Sequence, residues 1–265
     1  MQTSWINYKK EEGVATILLN RPRAFNALHK EMIDEFLAVL REAAEDGEMK
    51  VLLLTGAGRA FCFGADIGEF THQENREQTG ANHALLLLEK VQESVRLLSN
   101  LPKPTLAAIN GFATGLGLDL ALACDLRIAA LRAKFAEAYI SMGLVPDGGG
   151  TFFLPRLIGL ARAAELIFLG EPLSAMEAER IGLINRVVPN DQLDASAREW
   201  AIKLARGPSL GIRLAKEALH KNLQGDLFSA LQTEASFQKL CLASEDHREA
   251  VQAFQEKRKP LFKGR

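Results

Sequence analysis

The chain has 265 residues, 48% of them hydrophobic and 25% charged, which excludes a mainly disordered, collagenous or coiled-coil protein. Its net charge is −1, which disfavours nucleic acid as a partner because proteins that bind it carry a basic excess. Three widely spaced cysteines, with no CxxC or Cys/His spacing, predict neither a disulfide framework nor a metal site. Without a signal peptide or an 18-residue apolar run, we expect a cytoplasmic protein that does not enter the membrane.

Short apolar runs alternate with helical patterns over the first 190 residues. The predicted strands lie at residues 14–19, 51–55, 105–109, 126–130, 134–135 and 185–188. The predicted helices lie at residues 28–45, 83–98, 116–124, 154–169 (opened by a proline) and 175–181, and the pattern is helical from residue 194 almost to the end. The sequence therefore predicts an α/β core over residues 1–193 and a helical region over residues 194–265.

One glycine pair resembles the start of a nucleotide-binding loop. Gly56 and Gly58 follow a strand directly, but Phe61 stands where the third glycine of that loop would be, and no helix follows. No Walker loop, GxSxG elbow or HExxH motif is present. We therefore expect no separate cofactor.

Two glycine-rich turns, at residues 60–67 (AFCFGADI) and 109–119 (INGFATGLGLD), each follow a strand and each carry a carboxylate. Small residues let the backbone approach a ligand and direct its N–H groups toward a carbonyl oxygen, forming an oxyanion hole. Close packing of a strand on a helix would also explain these glycines. A third loop, residues 141–151, places Asp147 beside three glycines, where it could cap a turn or carry a proton over a substrate.

In this order, the segments resemble the crotonase superfamily, the enoyl-CoA hydratases and isomerases. The matching stretches are LNRPRAFNAL (19–28), AFCFGADI (60–67), AAINGFATGLGLDLALACD (107–125), GLVPDGGGTFFLPRLIG (143–159) and AFQEKRKPLFKG (253–264). The resemblance implies a spiral core of repeated ββα units and a C-terminal helical region that assembles trimers, often paired into hexamers. It also implies an acyl-CoA substrate, so coenzyme A would enter as part of the substrate.

The resemblance also assigns roles by position. The oxyanion donors would be the backbone N–H groups of Ala65 and Leu116. Residues of two segments would bind coenzyme A, the second pair from a neighbouring subunit: Arg23, Ala24, Phe25 and Ala27, then Phe254 and Lys257. Further residues, Asp66, Ile67 and Tyr139, would shape the pocket.

The acids depart from the hydratase pattern, in which two glutamates share a water. Asp119 falls at the first position and Tyr139 at the second, while Glu137, two residues earlier, is not placed in the site. Asp147 and the PDGGGTFFLPR stretch look most like the isomerases of ring-epoxide phenylacetyl-CoA, which favours isomerisation with Asp147 as proton carrier and Asp119 as second acid or substrate-orienting group.

Three other readings stay open. They are hydration of a 2-enoyl-CoA, with Asp147 standing in for the missing glutamate; a dehalogenase or thioesterase in which Asp147 is the nucleophile; and a non-catalytic member of the family that binds RNA or coenzyme A.

Overall fold

The computed structural model describes residues 4–66, 68 and 79–265, with only the backbone described for residues 79–84. The strands are β1 Ile6–Glu11, β2 Val14–Leu19, β3 Val51–Gly56, β4 Ala60–Cys62, β5 Thr105–Ile109, β6 Phe112–Thr114, β7 Leu126–Ala130, β8 Lys134–Ala136, β9 Leu173–Ser174 and β10 Arg186–Val188. The described helices are α1 Lys30–Glu45, α2 Thr79–Ser99, α3 Leu116–Ala123, α4 Gly150–Leu169, α5 Ala175–Arg180, α6 Leu193–Ala205, α7 Ser209–Asn222, α8 Leu227–Ala243 and α9 Glu245–Gln255.

These elements form a spiral of ββα units. Each of the pairs β3–β4, β5–β6 and β7–β8 adds one strand to a six-stranded sheet, ordered β1-β2-β3-β5-β7-β10, and one to a four-stranded sheet, ordered β4-β6-β8-β9. Strand β1 is antiparallel to β2 and β9 to β8, and all the other strand pairs are parallel. The predicted α/β class and the repeated ββα units are confirmed.

The six-stranded sheet is buried on both faces. One face packs against the four-stranded sheet and α1 through Leu54, Ile109 and Phe61, and the other packs Leu106 and Ile128 against α6. Burial on both faces explains why its parallel strands read as unbroken apolar runs.

The helix predicted at residues 154–169 begins earlier than expected, at Gly150. Pro155 lies inside the helix and does not open it. The backbone breaks instead at Gly159, whose dihedral angles (φ 76°, ψ 159°) are not helical. The site loop that ends at Gly149 therefore runs directly into a helix.

The C-terminal helices pack mainly on one another beyond α6. Helix α8 contacts α7 and α9, and large apolar side chains are exposed along this region, including Leu227, Phe228, Leu240 and Phe254. The boundary after residue 193 stays a prediction, since α6 packs on the sheet while the later helices extend from it. In the described residues, no helix has the length and apolar character needed to cross a membrane.

Candidate active site

Two turns of the four-stranded sheet meet at Gly64. Its φ of +97° lies in the left-handed region, and a Cβ there would lie 2.9 Å from the carbonyl oxygen of Thr114 and 3.7 Å from the backbone nitrogen of Leu116. Glycine is required for both reasons. The turn after β4 and the turn before α3 therefore touch, which brings Ala65 close to Leu116.

The N–H groups of Ala65 and Leu116 are free of backbone partners among the described residues. Their neighbours are held instead: Leu28 donates to the Gly64 oxygen at 2.8 Å, Asp66 donates to the Leu28 oxygen at 2.9 Å, and Gly115 donates to Ala136 at 2.8 Å. Leu116 is the first residue of α3, where the helix dipole adds positive potential. Two such donors can bind the carbonyl oxygen of a thioester and stabilise an enolate.

Asp119 lies three residues beyond Leu116 on α3 and is completely buried. The Tyr139 hydroxyl donates to its Oδ2 at 2.6 Å. Burial and the negative charge of Asp147 raise the pKa of Asp119, the Tyr139 hydroxyl and the N–H groups of Gly148 and Gly150 oppose the rise, and the net result is a pKa of about 7. The surroundings of Asp119 therefore favour its protonated form more than water does.

Glu137, which the family resemblance does not place in the site, belongs to the same cluster. It follows β8, is completely buried, and borders Gly150: a Cβ at Gly150 would lie 2.7 Å from both Glu137 Oε1 and Asp119 Oδ1. Burial, then the charges of Asp119 and Asp147, raise its pKa to about 10. The only sequence signal for this contact is the absence of a side chain at residue 150.

Asp147 lies in the loop before α4 and, unlike the other two acids, is only half-buried. Burial raises its pKa, and the Tyr139 hydroxyl opposes this shift. The Gln92 side-chain amide donates to the Asp147 backbone oxygen at 3.3 Å. A cavity of about 810 Å³ reaches Asp147 and is lined by Phe152 and Phe153, but neither Ala65 nor Leu116, the predicted oxyanion donors, is among its described lining residues.

The loop predicted to border coenzyme A is a single 3₁₀ turn, Pro22–Ala24, followed by Phe25 with φ of 51°. Arg23 and Phe25 are exposed, whereas Ala24 and Ala27 are half-buried. The Phe25 ring lies 5.9 Å from the ring of Phe63. The loop thus presents an aromatic ring and a cation to solvent near the first glycine-rich turn.

Asn26, which the sequence reasoning missed, fixes this loop. It is completely buried, and its side-chain amide donates to the carbonyl oxygens of Ala57, Ala60 and Phe61 at 2.8–3.1 Å. Its Oδ1 accepts from the Arg21 N–H at 2.9 Å. One side chain therefore joins the loop to both ends of the turn between β3 and β4.

An ion pair ties the same loop to the residue after Ala65. Arg21 Nη1 lies 2.5 Å from Asp66 Oδ2, and although burial would raise the pKa of Asp66, Arg21 and the Gly68 N–H outweigh it and lower that pKa. Ile67, predicted to line the pocket, lies outside the described residues.

The two residues predicted to bind coenzyme A from a neighbouring subunit lie at the end of the C-terminal region. Phe254 is 85% exposed on α9, and Lys257 follows that helix with φ of 53°. Among the described residues, neither side chain forms a hydrogen bond or ring contact with residues 21–27.

A spiral of ββα units followed by C-terminal helices is the fold of a family of enzymes. The family described as Enoyl-CoA hydratase/isomerase matches residues 9–265, so the chain belongs to that family, whose members are enzymes.

The relatives include enzymes named as hydratases and an enzyme named as an isomerase. The chain is 43% identical to a "Probable enoyl-CoA hydratase" of Rhodobacter capsulatus, covering 98% of each chain. It is 41% identical to the "1,2-epoxyphenylacetyl-CoA isomerase" of Escherichia coli, covering 96% of this chain and 97% of the relative. The crystal structure of an enoyl-CoA hydratase from Bacillus anthracis superposes with a TM-score of 0.93 at 38% identity, covering 98% and 100% of the two chains.

Proposed function

We propose that the chain isomerises an enoyl-CoA thioester through an enolate, with Asp147 as the acid–base residue. The supporting observation is the unequal burial of the three acids. Asp119 and Glu137 are completely buried, and Asp119 Oδ2 is already bonded to Tyr139. Asp147 is the one of the three that is partly exposed.

The reaction needs a single proton carrier. The N–H groups of Ala65 and Leu116 bind the thioester oxygen. Asp147, as carboxylate, removes a proton from C2 of a 3-enoyl-CoA, and the electron pair delocalises into a dienolate whose oxygen these donors stabilise. Asp147 then returns the proton to C4, which yields the conjugated 2-enoyl-CoA and restores the carboxylate. Burial moves the pKa of Asp147 upward, toward the range where a carboxylate serves best as a base.

Hydration of a 2-enoyl-CoA is the second candidate, favoured by the closeness of the three acids and by the hydratases among the relatives. It requires two carboxylates that bind one water. Against it, Asp119 Oδ2 accepts from Tyr139, and Asp119 Oδ1 lies beside Glu137.

Covalent attack by Asp147 is a third candidate. It would leave an acyl-enzyme that mass spectrometry can detect.

A paired assay separates isomerisation from hydration. One enzyme stock is given a 3-enoyl-CoA in one cuvette and a 2-enoyl-CoA in another, and the absorbance of the conjugated thioester is followed. We expect a rise with the first substrate and no fall with the second. A rapid fall with the 2-enoyl-CoA would overturn the proposal in favour of hydration.

The Asp147→Asn variant tests the role of the acid. We expect it to lose at least about 100-fold in kcat, as expected for removal of an acid–base group, with unchanged affinity for coenzyme A. Asp191→Asn, at an exposed position, is the matched control and should behave as wild type. Full turnover in Asp147→Asn would exclude Asp147 as the proton carrier.

We further propose that the chain assembles into a trimer or hexamer in which two subunits share each coenzyme A site. One subunit contributes the loop residues Arg23, Ala24, Phe25 and Ala27. The neighbouring subunit contributes Phe254 and Lys257. The exposed apolar residues of the C-terminal helices support assembly. A Lys257→Glu variant should raise KM at unchanged kcat, and a monomeric mass in light scattering would contradict a shared site. Cytoplasmic location and the lack of a separate cofactor remain predictions.

A further inference from the structure

Glu137 has no role in the proposed reaction, yet its burial needs an explanation. It is completely buried, and neither of its carboxylate oxygens has a well-formed hydrogen bond among the described residues. Oδ1 of Asp119 is likewise without one. A buried acceptor without a donor is costly, so three together indicate that a donor is present that heavy atoms alone do not reveal.

The two acids both border Gly150 and are within hydrogen-bonding reach of one another. Glu137 Oε1 and Asp119 Oδ1 both lie 2.7 Å from the position that a Cβ at residue 150 would occupy. Glu137 approaches from the end of β8 and Asp119 from α3. The other oxygen of Asp119 already accepts from Tyr139 at 2.6 Å. The backbone N–H groups of Gly148 and Gly150 also act on this carboxylate, and the side chain that is within hydrogen-bonding reach of Asp119 on this side is Glu137.

We propose that Glu137 is a protonated positioning residue whose carboxylic acid donates to Oδ1 of Asp119, so that Asp119 is held between the Tyr139 hydroxyl and Glu137. One proton then provides partners for two of the three unpaired oxygens. The effect of Glu137 on turnover rests on the proposed isomerisation, but the presence of a proton on Glu137 does not.

The electrostatics of the cluster agree with this assignment. The titratable groups that act on Glu137 are Asp119 from α3 and Asp147 from the loop before α4, with Tyr139 bonded to Asp119, and no cation is among them in the described residues. Burial and these negative charges raise the pKa of Glu137 to about 10, above the value of about 7 for Asp119. Both shifts are upward, so the cluster favours keeping a proton between Glu137 and Asp119, as the proposal requires.

Two substitutions separate the donor from the acid. Glu137→Gln keeps the shape and an N–H donor but cannot be a carboxylic acid, whereas Glu137→Met fills similar space without a donor.

Infrared spectroscopy on the whole enzyme near pH 8.5, between the pKa values of about 7 and about 10, should show the carbonyl stretch of a neutral carboxylic acid that shifts in heavy water.

This infrared band should vanish in Glu137→Gln and persist in the control Asp191→Asn. A band that survives unchanged in Glu137→Gln, or no band in wild type, would overturn the proposal. Because this measurement uses no substrate, it decides the matter even if the enzyme turns over no 3-enoyl-CoA, which would defeat only the proposed function.

Measuring kcat in the two variants distinguishes a positioning role of Glu137 from a role in packing alone. Glu137→Gln should keep kcat within about threefold of wild type because its amide still donates. Glu137→Met should lose about 10- to 100-fold in kcat, the effect of one hydrogen bond to a charged group, and shift the acidic limb of the pH profile up by about one unit. Equal losses in the two variants at matched stability would contradict donation by Glu137.

Discussion

The Tyr139 hydroxyl donates to Asp119, and we expect it to lower the pKa values of the acids beside it, so Tyr139→Phe is the sharpest test of this arrangement. The substitution keeps the aromatic ring, which packs beside Gly115, and removes only the donor to Asp119 Oδ2. A hydrogen bond to a charged group contributes about 1.5–3 kcal/mol, and one pKa unit corresponds to about 1.4 kcal/mol. The pKa of Asp119 should therefore rise by about one to two units above its value of about 7.

The same hydroxyl also opposes the rise in the pKa of Asp147, so both carboxyls should become harder to ionise. A base that stays protonated up to a higher pH is active over a narrower pH range. The acidic limb of kcat/KM against pH should consequently move to higher pH by about one to two units. The assay is conversion of a 3-enoyl-CoA, followed at half-unit steps from acid to neutral pH.

The chain offers a matched control for this experiment. It contains two tyrosines, and the hydroxyl of Tyr8, on β1, is buried without a hydrogen-bond partner in the described part of the protein. Tyr8→Phe should leave the pH profile in place. If the acidic limb in Tyr139→Phe coincides with that of Tyr8→Phe, the hydroxyl does not set the charge of the catalytic acids and the reasoning fails.

Four further outcomes follow from the same geometry. Leu116→Pro should lower kcat about 100- to 1,000-fold by deleting a proposed oxyanion donor at the first position of a helix, where proline is tolerated, whereas Leu116→Ala keeps this N–H and should retain most activity. Gly150→Ala should destabilise the fold by about 1–3 kcal/mol, measured by urea unfolding, and separate Asp119 from Glu137; unchanged stability and pH profile would refute the contact. Because the folded pKa values of these acids exceed the values of 3.8 and 4.5 that they would have when unfolded, the folded state binds more protons, and the free energy of unfolding should fall as pH rises from about 4 to about 10; Glu137→Gln should flatten this slope. Arg127→Met should cost about 3 kcal/mol by leaving buried carbonyl oxygens unpaired, and a urea midpoint equal to wild type would show that these bonds do not matter.

The central strands of the six-stranded sheet could be predicted because they are buried on both faces. The edge strand β1 could not, because most of it is exposed. The apolar runs of β3, β5 and β7 were predicted to within one residue, and the structure confirms them. Strand β1 was missed because only Ile6 of its six residues is buried and the rest include four polar or charged side chains. An edge strand that is held mainly by pairing with β2 carries no hydrophobic pattern.

The site was predictable only where its parts are local. Leu116 and Asp119 lie on one turn of the same helix, so their spacing follows from the sequence. The contact of Glu137 with Asp119 joins a strand end to a helix and depends on the missing side chain at Gly150, a three-way arrangement that no spacing rule contains. Asn26 is hidden for the same reason, since its three acceptors lie 31–35 residues away in the chain.

Helix α3 connects these features because its two ends are held differently. All eight of its residues are buried. At its C-terminal end the guanidinium of Arg127, itself 5% exposed, donates to the carbonyl oxygen of Cys124 at 2.5 Å and to those of Ala121 and Leu122 at 3.4 Å. The negative end of the helix dipole is thus neutralised within the core. At the other end the Leu116 N–H has no backbone partner among the described residues, so the end that carries positive potential is the one left to a ligand.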